Sequence, residues 1–488
     1  MTTQAVWQVR TRKDFLPRNM AKLVLLVVCA LSLGGRLMAQ QFETRSISPA
    51  VAGPWGALVA DFNHDGKLDL VVTTCIVADQ VSIMLGNGDG TFRPPVNYSV
   101  EGCPGTPVTG DFNHDGNLDV VVPVYKYGKV SGVDVLLGRG DGTFQPPAYY
   151  PAPQVAYQAL PGDFNNDHSL DLVVLIPNAL CVLLGNGDGT FQPCIVSPLP
   201  AEDNAIAVGD FNNDGKLDVA ANLEFGSESS AQIMLGNGDG TFTYSASYPV
   251  PDPVSIVAAR LTGSKNDDLV IANGGANTAN GVSVLLGNGD GTFQPAVNYA
   301  ASNPIYAAVA DLNGDGIPDI VAVEFLMPAG ASVYLGNGDG TFQRGVFYPA
   351  GDQSRFVGVG DFNGDHKVDL AIPSYRSDNV PVLLNTGVVS FSPTTPLNFK
   401  KQAVGTTSPP QTVALTNTGK TALRIASMKA STEFGVTSTC GTSVAAGAKC
   451  TISATFSPTK KGLVQGTIAI IDSASTKPQV IEVFGTGT

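Results

Sequence analysis

The sequence has few charged residues, few histidines and, after its first 39 residues, no long apolar run. Charged residues make up 14% of the chain and form no basic stripe that could neutralise phosphates, which argues against a DNA or RNA partner. The four histidines all lie in copies of one loop, so no Ser-His-Asp or Cys-His arrangement can be built away from these loops. The composition therefore argues against nucleic-acid binding, triad catalysis and repeated membrane spans.

The first 39 residues are similar to a secretory signal peptide. Five basic residues precede an apolar run at Leu23–Leu33 that is too short to span a bilayer, and Leu37-Met-Ala39 resembles a small-residue cleavage site. An uncleaved membrane anchor is the alternative. Cleavage would predict a mature chain that is secreted, or held at the cell surface or in the periplasm.

Six cysteines remain after residue 39, and none has the CxxC spacing of a metal site. An even number in an exported protein predicts disulfides, and the spacing alone leaves fifteen pairings open. Pairing of sequence neighbours is the favoured interpretation: Cys75 with Cys103, Cys181 with Cys194, and Cys440 with Cys450. The 55 glycines and 33 prolines indicate many short strands joined by turns.

One nine-residue loop recurs along the chain. Its first copy, Asp61-Phe-Asn-His-Asp-Gly-Lys-Leu-Asp69, has oxygen-bearing side chains at positions 1, 3, 5 and 9. Five further full copies begin at Asp111, Asp163, Asp210, Asp311 and Asp361, and a copy at 260–268 has lost its first three such side chains. The copies are 47 to 52 residues apart, which indicates a propeller or another array of repeated units.

The loops are candidate Ca²⁺ sites, because a hard cation prefers six to eight oxygen ligands. Position 6, where the chain must turn, is Gly in four copies and His168 or His366 in the other two, so these two sites are expected to bind more weakly. The alternative is that the side chains only cap turns. The predicted ligands are Asp61, Asn63, Asp65, Asp69, Asp111, Asn113, Asp115, Asp119, Asp163, Asn165, Asp167, Asp171, Asp210, Asn212, Asp214, Asp218, Asp311, Asn313, Asp315, Asp319, Asp361, Asn363, Asp365 and Asp369.

A second motif, Leu85-Gly-Asn-Gly-Asp-Gly-Thr-Phe92, recurs between the loops and reads as a hairpin turn. One repeat then predicts four strands: Leu58–Phe62, Leu68–Thr73, Val81–Leu85 and Phe92–Val100. Seven such repeats predict a seven-bladed β-propeller. The last repeat lacks a fourth strand, and we expect Phe42–Ser48 to supply it. The residue before each loop is always Gly or Ala, as expected for innermost strands crowded around an axis.

The two motifs together resemble the FG-GAP/VCBS repeat family, which includes the propeller of integrin α subunits. The resemblance covers roughly residues 42–390, and the propeller domain is placed at 40–390. It implies Ca²⁺ in the loops on one face and partners on the other face.

Residues 391–488 resemble the immunoglobulin-like domain of the abnormal-spindle/hydin type. Phe391-Ser-Pro, Leu415-Thr-Asn-Thr-Gly419 and Phe456-Ser-Pro458 carry the resemblance. Alternating stretches at 411–415, 451–456 and 466–471 fit sandwich strands. The expected fold is all-β, with a propeller followed by a sandwich, and the second domain implies an interaction or spacer module.

The face opposite the loops is the candidate ligand site. Its residues near the channel mouth are aromatic, amide and charged side chains, which suit a sugar or a protein loop: Trp55, Tyr157, Asn204, Tyr306 and Arg355. The alternative is that Trp55 and Tyr157 plug the funnel. The predicted function is a non-enzymatic, Ca²⁺-stabilised binding or adhesion protein for carbohydrate or surface-protein partners. A carbohydrate-active enzyme, such as a polysaccharide lyase or hydrolase, and a purely structural surface component are the alternatives.

Overall fold

The structure is a computed structural model, and it describes residues 42–49, 53–75, 78–126, 130–200, 203–223, 229–274, 280–314, 316–326, 328–385, 389–392, 396–417, 422–472 and 479–488. The predicted signal peptide lies outside these residues. Within them, no helix has the length and apolar character needed to cross a membrane.

The repeats fold into seven antiparallel sheets, which we number as blades in chain order. Blade one comprises β2 (Pro54–Ala60), β3 (Asp69–Thr74), β4 (Gln80–Met84) and β5 (Val96–Ser99). Blade two comprises β6 (Cys103–Pro104), β7 (Val108–Gly110), β8 (Asp119–Lys126), β9 (Val130–Leu136) and β10 (Ala148–Pro151). Blade three comprises β11 (Gln158–Gly162), β12 (Asp171–Ile176), β13 (Ala179–Leu183) and β14 (Ile195–Pro198).

The remaining blades repeat this order. Blade four comprises β15 (Asp203–Gly209), β16 (Asp218–Leu223), β17 (Ser230–Gly236) and β18 (Phe242–Pro249). Blade five comprises β19 (Pro253–Ala259), β20 (Asp268–Asn273), β21 (Gly281–Leu285) and β22 (Val297–Ala300). Blade six comprises β23 (Pro304–Ala310), β24 (Asp319–Glu324), β25 (Gly330–Tyr334) and β26 (Val346–Pro349). Blade seven comprises β27 (Gly358–Gly360), β28 (Asp369–Ala371), β29 (Asn379–Asn385) and β1 (Phe42–Pro49).

The core lies between blades rather than within them. The second strand of each blade is buried on both faces, so its successive residues serve two different neighbours: Val71 packs against blade two, whereas Leu70 packs against blade seven. Seven apolar clusters occupy the seven interfaces between adjacent blades, and the cluster between blades seven and one closes the ring. The prediction of seven blades is confirmed.

The prediction that an N-terminal segment completes blade seven is also confirmed. Strand β1 pairs antiparallel with β29, from Phe42 opposite Asn385 to Pro49 opposite Asn379. The Phe42 ring packs edge-on against Tyr348 of blade six, with ring centroids 5.1 Å apart. The two ends of the propeller are thus joined within a single sheet.

All four strands of blade one differ at their bounds from the prediction, by one to four residues, and the innermost strand begins at Pro54 instead of Leu58. The innermost strand of blade one ends at Ala60, because Asp61 and Phe62 already belong to the loop. The outermost strand begins at Val96 instead of Phe92, because Pro94 and Pro95 cannot donate ladder hydrogen bonds. Blade four has no proline there, and its outermost strand β18 starts directly at the turn phenylalanine.

At Gly110 and Gly360, the small residue before the loop is explained by a contact with the adjacent blade. A Cβ at Gly110 would lie 2.6 Å from Cδ1 of Leu170, and a Cβ at Gly360 would lie 2.2 Å from Cδ1 of Leu68. Each of these leucines is position 8 of the following blade's loop. The adjacent blade therefore requires the small side chain.

The two repeated motifs bind each other across five of the seven blade interfaces. The amide of Gly142, in the turn of blade two, donates to the Phe62 carbonyl in the loop of blade one. The same bond joins blades three to two, four to three and five to four, and Gly90 closes the ring by donating to Phe362 of blade seven. The phenylalanines of the two motifs also meet edge to face, as in the Phe62–Phe144 pair at 5.6 Å. Because the contact needs both motifs, they recur in phase.

The C-terminal residues form a two-sheet sandwich with its own core. One sheet contains β30 (Val389–Ser392), β32 (Gln411–Asn417), β36 (Lys449–Phe456) and β34 (Phe434–Ser438). The other contains β31 (Leu397–Gln402), β38 (Gln479–Gly487), β37 (Gly462–Asp472), β33 (Leu423–Ala430) and β35 (Ser443–Val444). Strands β32, β36 and β37 cover the three stretches predicted from alternation, so these predictions are confirmed.

All three predicted disulfides are present. Cys75–Cys103 joins the second strand of blade one to the start of blade two, and Cys181–Cys194 crosses the outer strands of blade three. Cys440–Cys450 links the two sides of a hairpin in the sandwich. Three disulfides are typical of a protein that folds in an oxidising compartment.

Candidate functional site: the loop face and the channel mouth

In the first loop, the side chains at positions 1 and 3 converge on one backbone amide. The amide of Asp65 lies 3.2 Å from Oδ1 of Asp61 and 2.9 Å from the side-chain oxygen of Asn63. The other oxygen of Asp61 accepts from the amide of Gly66 at 2.8 Å. The convergence at position 5 recurs in the loops that begin at Asp111, Asp163, Asp210 and Asp361.

The loop backbone is left-handed at two positions, one of which the sequence analysis missed. Position 6 has positive φ as predicted, including 70° at His168 and 65° at His366. Position 4 also has positive φ, for example 57° at His64. It is occupied only by His, Asn or Gly, the residue types that tolerate this conformation, so the signal was present in the sequence. The histidines of the chain are thus explained by backbone geometry.

Position 9 serves the backbone. The Asp69 side chain is fully buried, and its two oxygens accept from the amides of Phe62 at 3.0 Å and Gly86 at 2.8 Å. One carboxylate thereby ties the loop to the start of its own blade's hairpin turn. The same pair of bonds is made by Asp119, Asp171, Asp218, Asp319 and Asp369.

Burial of these carboxylates has an electrostatic cost. Desolvation raises the pKa of Asp119, Asp171 and Asp218 to about 6 and that of Asp369 to about 7, although the amide hydrogen bonds work in the opposite direction. The carboxylates at positions 1 and 5 add a smaller repulsion that also raises these pKa values. A nearby divalent cation would reduce that repulsion.

The degenerate loop of blade five separates the backbone role of position 9 from the candidate metal-binding role of the loop. Asp268 keeps both backbone bonds, to Leu261 at 2.9 Å and Gly287 at 2.8 Å, although the other ligand types are gone. At position 1 stands Arg260, whose Nε lies 3.0 Å from Oδ1 of Asp267. A guanidinium at this position does not fit a cation site. The backbone role of position 9 is therefore present in a loop without the ligand set.

The donor set of the full loops fits a hard cation at positions 1, 3 and 5. These positions supply two carboxylates and an amide oxygen, and an oxygen that accepts one N–H retains a lone pair for a metal. In the part of the chain that the structure describes, no three His, Cys, Asp or Glu side chains form a group that could hold a metal. The reason is that position 3 is Asn and position 9 turns into the blade. Asp315 lies outside the described residues.

At the opposite face, the innermost strands surround a central cavity of about 810 Å³. Its wall is mostly apolar and comes from the innermost strands of several blades, as at Ala207 and Ile256. Trp55 stands at the start of β2, whose last residue, Ala60, precedes the first nine-residue loop. The mouth and the loops therefore lie at opposite ends of the same strands, roughly 20 Å apart by strand rise.

A cluster of aromatic rings surrounds Arg355 at the mouth. Its guanidinium carbon lies 4.0 Å from the ring centre of Trp55, 5.0 Å from that of Phe325 and 5.6 Å from that of Tyr375. These residues belong to blades one, six and seven, so the cluster also spans the interface between blades seven and one, which closes the ring. The Tyr306 ring packs on Phe356 at 4.8 Å, and burial raises the pKa of the Tyr306 phenol.

The structure brings most of the predicted ligand-site residues together. Trp55, Tyr157, Tyr306 and Arg355 all line the cavity, and Tyr157 is 41% exposed. The side chain of Asn204 lies outside the described residues. Sequence analysis missed Phe325 and Tyr375, which follow the second strands of their blades and carry no repeated motif. The alternative that Trp55 and Tyr157 plug the funnel stays a prediction.

These features define an all-β protein of two parts, a seven-bladed propeller and an immunoglobulin-like sandwich. The model of the FG-GAP-like repeat matches residues 74–122, 163–221, 260–322 and 311–372, and the model of the abnormal-spindle-like (ASPM-SPD-2-Hydin) domain matches residues 386–480. The chain therefore contains FG-GAP-like repeats followed by a C-terminal domain of the abnormal-spindle type.

Several solved structures are similar to the propeller or to the C-terminal domain. A lectin from Agrocybe aegerita, described as recognising non-reducing terminal N-acetylglucosamine, is 22% identical over 67% of this chain and 87% of its own, with a TM-score of 0.46. BBS1N, solved in complex with ARL6DN, is 13% identical over 70% of this chain and 96% of its own, with a TM-score of 0.49. The ASH/PapD-like domain of human CEP192 is 14% identical over 21% of this chain and 85% of its own, with a TM-score of 0.16. No curated protein matches the chain.

Proposed function

We propose that this chain is an exported binding protein whose Ca²⁺-stabilised propeller receives a carbohydrate or a surface-protein partner at the channel mouth. The observation that carries the proposal is the cavity of about 810 Å³ ringed by Trp55, Tyr157, Tyr306 and Arg355. Ligand sites are commonly concave, largely apolar and provided with a few polar groups, and this cavity has those properties.

In this proposal the loops hold Ca²⁺ through positions 1, 3 and 5, with the backbone of position 7 completing the protein ligands. The cation would neutralise carboxylates that otherwise repel one another across each turn. It would also stiffen the loop whose position 2 carbonyl binds the next blade. Calcium is thus assigned a structural role, on the face away from the ligand.

Removal of calcium is expected to lower the melting temperature clearly, because each loop would regain its carboxylate repulsion. The measurement is thermal unfolding followed by circular dichroism in EDTA and after titration with Ca²⁺. Asp214→Asn, which weakens one loop at position 5, should reduce the calcium-dependent part of the shift. Superimposable melts with and without the metal would contradict the role given to calcium.

Binding is favoured over hydrolysis because the described residues that line the cavity include no Asp or Glu. Glycoside hydrolysis normally uses a pair of carboxylic acids that flank the scissile bond. The only histidines of the chain lie in the loops at the other face. Side chains at the mouth can hold a ligand by stacking and hydrogen bonding, which requires no reacting group.

A glycan array combined with assays of polysaccharide turnover tests this function. Retention of particular glycans without release of shortened or unsaturated products is the expected result. Trp55→Ala should abolish retention, because it removes both a stacking surface and the support of Arg355, whereas the distant Tyr244→Ala should not. Product formation would establish an enzyme, and neither binding nor turnover would favour a purely structural component.

A further inference from the structure

Resting on the proposed binding function, we propose that the mouth of the cavity is a subsite for a carboxylate and that the ligand is an acidic sugar. The residue that would recognise the carboxylate is Arg355. It is the one cationic side chain among the described residues that line the cavity.

Among the residues that the structure describes, Arg355 has no counter-ion. Its Nε is buried and has no hydrogen-bond partner among the described residues. The aromatic rings of Trp55, Phe325 and Tyr375 support the guanidinium plane through cation–π contacts. Burial lowers the pKa of Arg355, and the interaction with the Tyr375 phenol offsets this only partly. The described protein thus provides position and orientation for the cation but no negative charge.

A desolvated cation is costly unless an anion and hydrogen bonds compensate it. The guanidinium presents a planar fork of N–H donors that matches a carboxylate, and Arg keeps its charge under all ordinary conditions. Three aromatic rings surround the guanidinium, with ring centres 4.0, 5.0 and 5.6 Å from its central carbon. An incoming carboxylate would accept from the guanidinium N–H groups, so the chemistry of the ligand follows from the unmatched charge of Arg355.

The shape of the site favours a sugar over a folded protein surface. The cavity volume lies within the range of small-molecule pockets, whereas a protein partner usually buries about 800 Å² per side on a broad face. Tyr157 and Tyr306 line the same cavity as Arg355 and offer further rings against which a pyranose can lie. A uronic acid combines such a ring with the required carboxylate.

The test compares two trisaccharides by calorimetry on the full-length protein in calcium buffer. β-1,4-linked triglucuronate carries a carboxylate wherever cellotriose carries a hydroxymethyl group, so the pair isolates the charge. We expect triglucuronate to bind about ten-fold more tightly or better, as a charge-assisted pair allows, and the advantage to shrink with added salt. This comparison uses the wild-type chain and does not depend on any variant folding.

Variants then locate the preference. Arg355→Gln should abolish the advantage of triglucuronate, and Arg355→Lys should keep part of it. Arg93→Gln, which removes the same charge on the loop face, should change nothing. Equal affinity for both sugars, or an unchanged preference in a folded Arg355→Gln protein, would overturn the carboxylate subsite and leave the binding function intact. Binding of neither sugar would overturn the carboxylate subsite, whereas the binding function is decided separately by the glycan array. Binding of only an acidic peptide would replace the sugar as ligand.

Discussion

Deletion of residues 42–49 is expected to lower the melting temperature of the propeller by roughly 10 °C or more. The deletion removes β1 and with it the antiparallel pairing along β29. Blade seven would retain only the short strands β27 and β28 beside β29. An unpaired edge of β29 would then face solvent, and such an edge is also a site of aggregation.

The size of this effect follows from topology. Six of the blade interfaces join segments that are continuous in sequence, but closure of the ring joins its two ends. Strand β1 brings the N-terminal end of the chain into the same sheet as residues 358–385. It also places Phe42 against Tyr348 of blade six. Loss of β1 therefore weakens an interface on which the circular arrangement depends.

The matched control is Thr44→Ala, which changes an exposed side chain of β1 and keeps the backbone pairing. It should leave the melting temperature within a degree or two of wild type, as surface substitutions generally do. Phe42→Ala should have an intermediate effect, because it removes the ring but not the strand. A deletion variant with the same melting temperature as the wild-type protein would show that the ring closes without this strand.

Much of the architecture could be predicted because it repeats. Seven copies in one phase identify the blades, and the decayed last turn at Leu384–Phe391 reveals that a strand must come from elsewhere. The disulfides were predictable because each pairs neighbours in the chain. Periodicity also located the position before each loop as small, and at Gly110 and Gly360 the atom that a Cβ would meet belongs to a leucine of the adjacent blade.

What could not be predicted depends on contacts between distant residues that no repeat connects. Arg355 and Trp55 lie at opposite ends of the propeller sequence and meet only because the ring closes. Phe325 and Tyr375 occupy loops without a motif, so nothing in the sequence placed them at the mouth. The bond from Gly90 to the Phe362 carbonyl likewise requires the closed ring.

The position 9 aspartate was predicted as a ligand of equal standing with positions 1, 3 and 5. The structure gives it a separate task, since both oxygens of Asp69 accept backbone amides. Its place as a metal ligand stays a prediction. The decisive comparison uses blade five, where Asp268 makes the same two bonds in a loop without the other ligand types.

In calcium-free buffer, Asp218→Ala and Asp268→Ala are each expected to lower the free energy of unfolding by roughly 2–6 kcal/mol. Each substitution leaves two amides of the loop and the turn without an acceptor, and an unsatisfied buried group costs about 1–3 kcal/mol. The raised pKa of Asp218 shows that its burial is itself costly, which places the net loss toward the lower end. Urea unfolding in EDTA measures both variants.

The control is Asp214→Ala, which removes an exposed carboxylate at position 5 of the loop that contains Asp218. In EDTA it should cost well under 1 kcal/mol, whereas in calcium it should lose the stabilisation that the metal provides to that loop. Asp268→Ala should have the same cost in both buffers, since Arg260 occupies position 1 there. If Asp268→Ala were as mild as Asp214→Ala in EDTA, the carboxylate would not be fastening the hairpin turn to the loop. The recurrence of Asp at position 9 would then require the metal as its explanation.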